Sequence, residues 1–516
     1  MIIIAVMSRL ICSALVLWVD WCIPVVAHDG DWLAEVGYRR LQARLGEALP
    51  KGRNVSLTQV EAPDDGGGHL PQDGSGAFVG RDSFEGKAFR SHSSVTGSSD
   101  HARIVGHFLY GVQPMISFGT FSFSPSVKDV DLYRAGVREY LSTDFLKPSP
   151  SEGPMQEVNA IQNHSWSGQM GTASVDYMNE RLRRMDYSVS RDDYLCVAAL
   201  DNGEDSPIPP LMASAYNVLS VGCSHGKHSR GRTHPKLDGG GRTKVDLVAP
   251  LSATSFATPV VSSAAALLLE CVSRSDEFSN ASHNEVLRAV LMAGAVKTPF
   301  PQWSREMTRP FDSVYGAGQL DINRSHRVLT EGDWRYATIT KNRDHEITFE
   351  VNAPQMDASV VLIWNRQVGM KRGKVSSVGV ADMALRLYKE DILTGDRYLV
   401  QESDSRNENR EHVYVRGLKV GRYVMVLETD REVSYGLAWH LGRKPTPSLV
   451  WNDQSMQADG LMPGEYYEWQ HTADLKAWTV VEAFEAKRET QVFDVELGEA
   501  VKGFYRLTWA RSEAES

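Results

Sequence analysis

Residues 251–270 read LSATSFATPVVSSAAALLLE. A short polar stretch passes without a break into an apolar run that is long enough for a buried helix. The stretch raises the question of what Thr254, Ser255 and Thr258 do at its start, with Pro259 immediately behind them. Hydroxyl side chains cap helix N-termini by accepting from orphan N–H groups, and proline is tolerated in a first turn, so one reading is structural. The other is chemical. Unpaired donors and positive partial charge gather at a helix N-terminus, which suits a serine that attacks a carbonyl and generates an oxyanion. The stretch alone leaves both open, and partners elsewhere in the chain have to decide.

Working outward, short apolar strands (DVDLYRA, VNAIQNHSW, YLCVAAL, NVLSVGC, KVDLVAP) alternate with helical patterns such as SVDYMNERLRRMD and HNEVLRAVLMAG. Strand and helix in alternation predict an α/β fold over residues 51–335, a mostly parallel sheet with helices on both faces. Ahead of it, residues 28–50 place Trp32, Leu33, Val36, Leu41 and Leu45 on one side of a single amphipathic helix. NVSLTQVEA then alternates like a strand and runs into the glycine-rich PDDGGGHLPQDGSGAFVG loop. From about residue 336 the pattern changes to alternating runs (HEITFEVN, ASVVLIWN, HVYVRGL, YVMVLETD), which predict a β-sandwich over residues 336–445. Residues 446–516 read as a small β domain rich in Tyr and Trp. Its aromatics are expected in the core; exposed, stacked tryptophans at Trp451, Trp469 and Trp478 would instead point to polysaccharide or surface contact.

The chain has 516 residues, is 42% hydrophobic and carries a formal net charge of −10. That balance gives no electrostatic reason to bind nucleic acid or an anionic membrane surface. The opening MIIIAVMSRLICSALVLWVDWCIPVVAHDG has Arg9 before an apolar run, an interruption at Asp20 and a small-residue pattern at Val25-Val26-Ala27. It reads as a secretory signal over residues 1–27, cut after Ala27, which predicts a secreted or periplasmic protein. No later segment is read as a transmembrane span. Cleavage would leave Cys196, Cys223 and Cys271, allowing at most one disulfide; all three are expected as buried thiols, and no zinc spacing is present.

A serine nucleophile needs a base within hydrogen-bond reach, a group that orients the base, and donors aimed at the oxyanion. His101 opens a helix-like run in SSDHARIVGHFLYG, and Asn202 follows a strand in VAALDNGED. Taken singly, the first reads as a cap or surface residue and the second as turn chemistry. Together with Ala253-Thr254-Ser255-Phe256-Ala257-Thr258-Pro259 they resemble the subtilisin-like serine proteases, whose serine motif runs Gly-Thr-Ser, an apolar residue, Ala, a small residue and Pro. IQNHSWSG resembles that family's segment for extended substrate, around Ser165, Trp166, Ser167 and Gly168. The order of acid, histidine, asparagine and serine is also the family's.

The resemblance implies a serine endopeptidase acting on protein or peptide substrates. Ser255 is then the nucleophile, His101 the base and Asn202 an oxyanion donor. For the acid, Glu61 in VSLTQVEAP stands where the family has an aspartate, with Asp64, Asp65 and Asp100 as competitors. Ala253 replaces a glycine and would distort the turn if that position needs positive φ. Ser262 and Ser263 replace the family's Ala-Gly on the helix. No cofactor is implied for the chemistry; structural calcium is common in the family, but the sequence shows no traceable ligand set. The departures leave a rival from another class, an inactive peptide-binding or adhesion protein on the same fold.

Overall fold

The computed structural model describes residues 17–18, 31–71, 81–113, 121–149, 152–169, 173–204, 206–341, 343–352, 356–377, 379–443, 448–452, 455–459, 461, 466–472, 476–485, 490–494 and 504–509. The expected signal segment lies outside them apart from Leu17–Trp18, as does the cleavage point after Ala27.

Seven strands form one sheet: β2 (Leu57–Glu61), β3 (Ala88–Ser91), β4 (Asp129–Arg134), β5 (Ile161–His164), β7 (Leu195–Ala199), β8 (Val218–Cys223) and β9 (Leu247–Ala249), in the order β3-β4-β2-β5-β7-β8-β9. Every neighbouring pair is parallel. Parallel sheets bury both faces, and the side-chain alternation shows it directly. Leu195 and Val197 of β7 pack into one hydrophobic cluster, Cys196 and Ala198 into another. The first cluster includes α3 (Asp100–Tyr110) and α5 (Thr254–Ser273); the second includes α4 (Val175–Asp192). The predicted α/β fold with helices on both faces is therefore the observed one. β2 departs from the alternating pattern read in the sequence: all five of its residues are buried, since it lies between β4 and β5.

Helix α5 is the centre of the first cluster. Its twenty residues are long and apolar enough to cross a membrane by length and composition alone. The helix is buried in the protein core instead. The expected single N-terminal helix is corrected. Gly37, at φ 75°, separates α1 (Trp32–Glu35) from α2 (Tyr38–Leu45), and a Cβ there would lie 2.3 Å from Asp321 Oδ1. The break lets Trp32 and Tyr38 both reach Phe123.

Two four-stranded antiparallel sheets follow. One is β10 (Trp334–Ile339), β19 (Val433–Arg443), β12 (Met356–Trp364) and β17 (Arg410–Leu418) in that order; the other is β11 (His345–Val351), β18 (Gly421–Thr429), β15 (Met383–Glu390) and β16 (Arg397–Asp404). Both contribute to one apolar cluster, which includes Val360, Leu362 and Trp364 of β12 with Leu385, Leu387, Met425 and Leu427. The opposite face of β12 presents Val361 and Ile363, and these join the α/β core. That explains why ASVVLIW reads as a continuous apolar run: the strand is covered on both sides by two different cores. Helix α6 (Asn284–Ala293) packs against β12 and β19, and Gly436 of β19 sits so close that an added Cβ would meet Glu285 backbone atoms at 2.4 and 2.6 Å.

Charge completes this junction. Arg366 pairs with Asp186 at 3.3 Å and Asp238 at 2.8 Å, and Asn217 of the α/β part exchanges hydrogen bonds with the Arg366 backbone. Arg410 is paired with Asp246, itself bonded to Ser220 and Lys244. In the C-terminal region, Trp469 is buried against Phe493 and Tyr505, so it belongs to the core. Trp478 lies under Arg506 at 4.0 Å, and the side chain of Trp451 falls outside the described set.

Candidate active site

The carboxyl ends of β2, β5, β7 and β9 open toward one edge of the sheet, and each sequence-predicted site residue lies at that edge or on a helix beginning there. Such edges are where open α/β sheets assemble polar chemistry.

Glu61 is the last residue of β2. Side chains two apart on a strand share a face, so Leu57, Gln59 and Glu61 all point toward α3 and α5 while Val60 joins the opposite cluster. Glu61 is only 1% exposed, and its Oε2 lies 2.8 Å from His101 Nδ1. His101 is the second residue of α3, whose N-cap Ser99 accepts from Ala102 N at 3.4 Å. The Nδ1 contact to a buried carboxylate fixes the ring orientation and directs Nε2 the other way. Nε2 is buried and makes no hydrogen bond among the described residues. The imidazole lies 6.3 Å, centroid to centroid, from Phe256, the residue after Ser255. Two of the competing acids are engaged elsewhere, Asp64 Oδ1 accepting from Gly68 N within its own turn and Asp100 pairing with Arg103 at 2.9 Å, while Asp65 is exposed.

Ser255 lies at the second position of α5. From Thr254 to Val272 it alone is not buried. The capping reading of the hydroxyls is overturned. The N-cap is Ala253 and carries no side-chain cap; Thr254 Oγ1 lies 2.7 Å from Leu200 O, and Thr258 Oγ1 donates back to Thr254 O at 2.8 Å. Ala253 has φ −141°, extended backbone that any residue adopts, so alanine in place of glycine strains nothing. Pro259 is the sixth helical residue and not in the first turn, so the carbonyl of Ser255 lacks the N–H that would bond it four residues on.

Asn202 is held from the same helix start. Its Oδ1 accepts from Thr254 N at 2.9 Å and lies 3.0 Å from Thr254 Oγ1. Because a backbone N–H can only donate, the carboxamide oxygen is assigned to that side and Nδ2 faces away with its donors free for another acceptor. The turn is held further by Asp201, which accepts from Asn202 N at 2.9 Å and from Gln169 Nε2 at 2.6 Å. The Ser255 N–H has no acceptor among the described residues. Among the described residues neither of these donors has an acceptor, and Ser255 is partly exposed.

Ser167 and Gly168 form β6, which pairs antiparallel with the extended segment β1 (Leu17–Trp18) and bridges to Leu211 on its other side. Ser165 is fully buried, its Oγ 2.9 Å from Asn163 Nδ2, and Trp166 is 1% exposed within the second core cluster. Only main chain is offered along this stretch; the indole, expected among the substrate-contacting residues, packs inward. On α5, Ser262 donates to Asn163 Oδ1 at 2.9 Å and Ser263 Oγ accepts from Phe123 N at 2.8 Å. The serines standing in place of Ala-Gly thus tie α5 to β5 and to a neighbouring loop.

Burial pushes the Cys196, Cys223 and Cys271 thiols up, and all three are free and buried as expected. Among the described residues no group of three or more His, Cys, Asp and Glu is arranged to hold a metal ion. Sequence reasoning missed Gln59 and Tyr110, which contact Glu61 directly and indirectly. The signal for Gln59 was present: a polar residue two positions before Glu61 shares its buried face.

The carboxyl edge of the parallel sheet thus carries an imidazole paired with a buried carboxylate, and a carboxamide bonded to the start of the helix that holds Ser255. Residues 147–318 match the peptidase S8 model, described as the subtilase family. The matched span includes Asn202 and Ser255 and begins beyond Glu61 and His101. Among solved structures, the chain is similar to fervidolysin from Fervidobacterium pennivorans, described as a keratinolytic enzyme related to subtilisin (11% identity, 93% of this chain and 81% of that one, TM-score 0.36). It is similar also to the serine protease MycP1 of the type VII (ESX-1) secretion system (14%, 61% and 92%, TM-score 0.36) and to Pseudomonas sedolisin, a serine-carboxyl proteinase (14%, 55% and 95%, TM-score 0.32). At these scores the likenesses carry no weight in assigning an activity. No curated protein matches the chain.

Proposed function

We propose that the protein is an exported serine endopeptidase, secreted or periplasmic, that hydrolyses peptide bonds through Ser255, His101 and Glu61 with Asn202 as an oxyanion donor. His101 Nε2 takes the Ser255 proton as Oγ attacks the scissile carbonyl, and later returns it to the leaving amine. Glu61 keeps the proton of the imidazole on Nδ1 and stabilises the imidazolium. The Asn202 amide and the Ser255 N–H receive the oxyanion, and water then hydrolyses the acyl-enzyme. Extended substrate would pair with the main chain of Ser165–Gly168, a role supported by the antiparallel pairing β6 already makes with β1. The reaction uses side chains and backbone donors and needs no cofactor; structural calcium would enter only as a scaffold ion.

The observation that carries the proposal is the 2.8 Å Glu61–His101 contact, which commits one ring nitrogen and leaves the other bare beside the start of α5. A second reading, peptide binding or adhesion without cleavage, draws on that same bare Nε2, because no hydrogen bond joins it to Ser255 Oγ. Apo sites often hold their catalytic bonds long and tighten them only around substrate. A fluorophosphonate probe on the parent and on Ser255→Ala separates the two. Labelling of the parent alone is expected; failure to label either protein would favour binding without cleavage.

A further inference from the structure

Behind the pair of Glu61 and His101 lies a second layer that the chemistry above does not use. Gln59 is fully buried, and its Nε2 donates to Glu61 Oε1 at 3.0 Å and to Ala102 O at 2.9 Å. Its Oε1 accepts from the hydroxyl of Tyr110, which is also fully buried. Both carboxamide hydrogens and the carbonyl are thereby engaged. Flipping the group would set its oxygen against the carboxylate and a backbone carbonyl, so only one orientation is compatible with these neighbours.

We infer that Gln59 and Tyr110 form a positioning relay for the acid and the base together. Resting on the protease reading above, the relay assigns Gln59 to hold Glu61 and the first turn of α3 at a fixed separation. One amide hydrogen fixes the carboxylate oxygen that does not face the histidine. The other fixes the backbone carbonyl of Ala102, one residue beyond His101. Tyr110 sits at the far end of the same helix and directs the amide: burial and the nearby Glu61 charge push its hydroxyl well above the ordinary tyrosine range, so it stays a donor.

The helix makes room for this contact. An added Cβ at Gly106 would lie 2.7 Å from the Tyr110 hydroxyl and 3.2 Å from Phe84, so a side chain there would push the phenol away from Gln59. Phe84 and Phe89 hold the ring from outside at 5.5 and 5.8 Å. The glutamate, one methylene longer than aspartate, has an extra torsion to fix, and the Gln59 amide fixes it.

The test uses the purified full chain with Gln59→Met, which keeps length without hydrogen bonds, and Tyr110→Phe, which removes one hydroxyl. Endpoint fluorophosphonate labelling counts competent molecules, and the labelling rate and turnover of fluorescent casein are then expressed per competent molecule. Gln59→Met is expected to lower both rates on the order of tenfold or more, toward the 10²-fold that a misplacement of about 1 Å can cost, with KM changed less than twofold. Tyr110→Phe should show a smaller loss of the same kind. The proton on His101 Nδ1, read by NMR as the low-field resonance absent from His101→Ala, should shift or vanish in Gln59→Met. Parent rates per competent molecule in Gln59→Met, together with an unmoved resonance, would overturn the relay. If the parent itself is not labelled, the protease reading fails, and the resonance still decides whether Gln59 positions the pair.

Discussion

Glu61 reaches His101 from the end of a strand held between β4 and β5, with its second carboxylate oxygen bonded to Gln59. Two residues divide the expected losses. Asn202→Ala should leave KM near its parent value and lower turnover of casein by about 10² to 10³, the magnitude measured for an oxyanion donor in a subtilisin and taken from that enzyme. Glu61→Gln presents a donor to Nδ1 and so favours the wrong tautomer; it should cost more, up to about 10⁴, as the matching carboxylate change does in another triad protease. A rate for Glu61→Gln close to the parent would remove the orienting role from Glu61. Asp64 and Asp100 would be poor substitutes, held as they are by a turn amide and by Arg103.

At the scale of elements, the close approach of α6 and β19 is the sharpest constraint. Gly436→Ala forces a methyl against the Glu285 and Val286 backbone, which cannot rotate away as a side chain would. Overpacking of this kind costs about 1 to 3 kcal/mol, and urea unfolding should show it as a lower midpoint with an unchanged slope. An unchanged midpoint would mean that α6 and the sheet are free to separate. The same elements show what a sequence can and cannot tell. Helices α4 and α5 and strands β5, β7, β8 and β9 were legible because apolar period and length are local properties. The break at Gly37 was not, since a left-handed glycine between two apolar turns leaves the periodicity intact. The hydroxyls of Thr254 and Thr258 leave capping open as one reading, because the residue types that cap a helix also fasten it to other segments, and the contact of Thr254 with Asn202 joins positions 52 residues apart. Asn202, His101 and Ser255 stood out through a resemblance between motifs; Gln59 and Tyr110 belong to no such motif and depend on contacts 51 residues apart.

Over the whole molecule, the interior holds many ionisable groups that folding keeps neutral. Burial pushes His69, His107, His228 and His326 down from 6.5 to about 4. Their unfolded forms bind protons first as pH falls, so the stability they contribute is present above about pH 6.5 and is lost on the way down to about pH 4. Each adds up to about 1.4 kcal/mol per pH unit to that loss. Glu157 and Glu408, raised to about 7, and Asp333, raised to about 6, act in the opposite sense, as do Glu285 and Glu411, whose carboxyls burial also raises. A single ring isolates the sign: from pH 7 to pH 5 the urea midpoint of His107→Phe should fall less, or rise more, than that of the parent, and an identical change in the two proteins would show that the His107 ring is solvated or paired. The bond from Thr254 N to the Asn202 carboxamide bears on a different property. Because the segment that carries the serine grips the residue that would face the oxyanion, thermal breathing of the sheet carries both along as one body. Their mutual spacing is then decoupled from the looseness of the surrounding scaffold, and warming should blur where this pair sits in the protein well before it blurs how the two sit relative to each other.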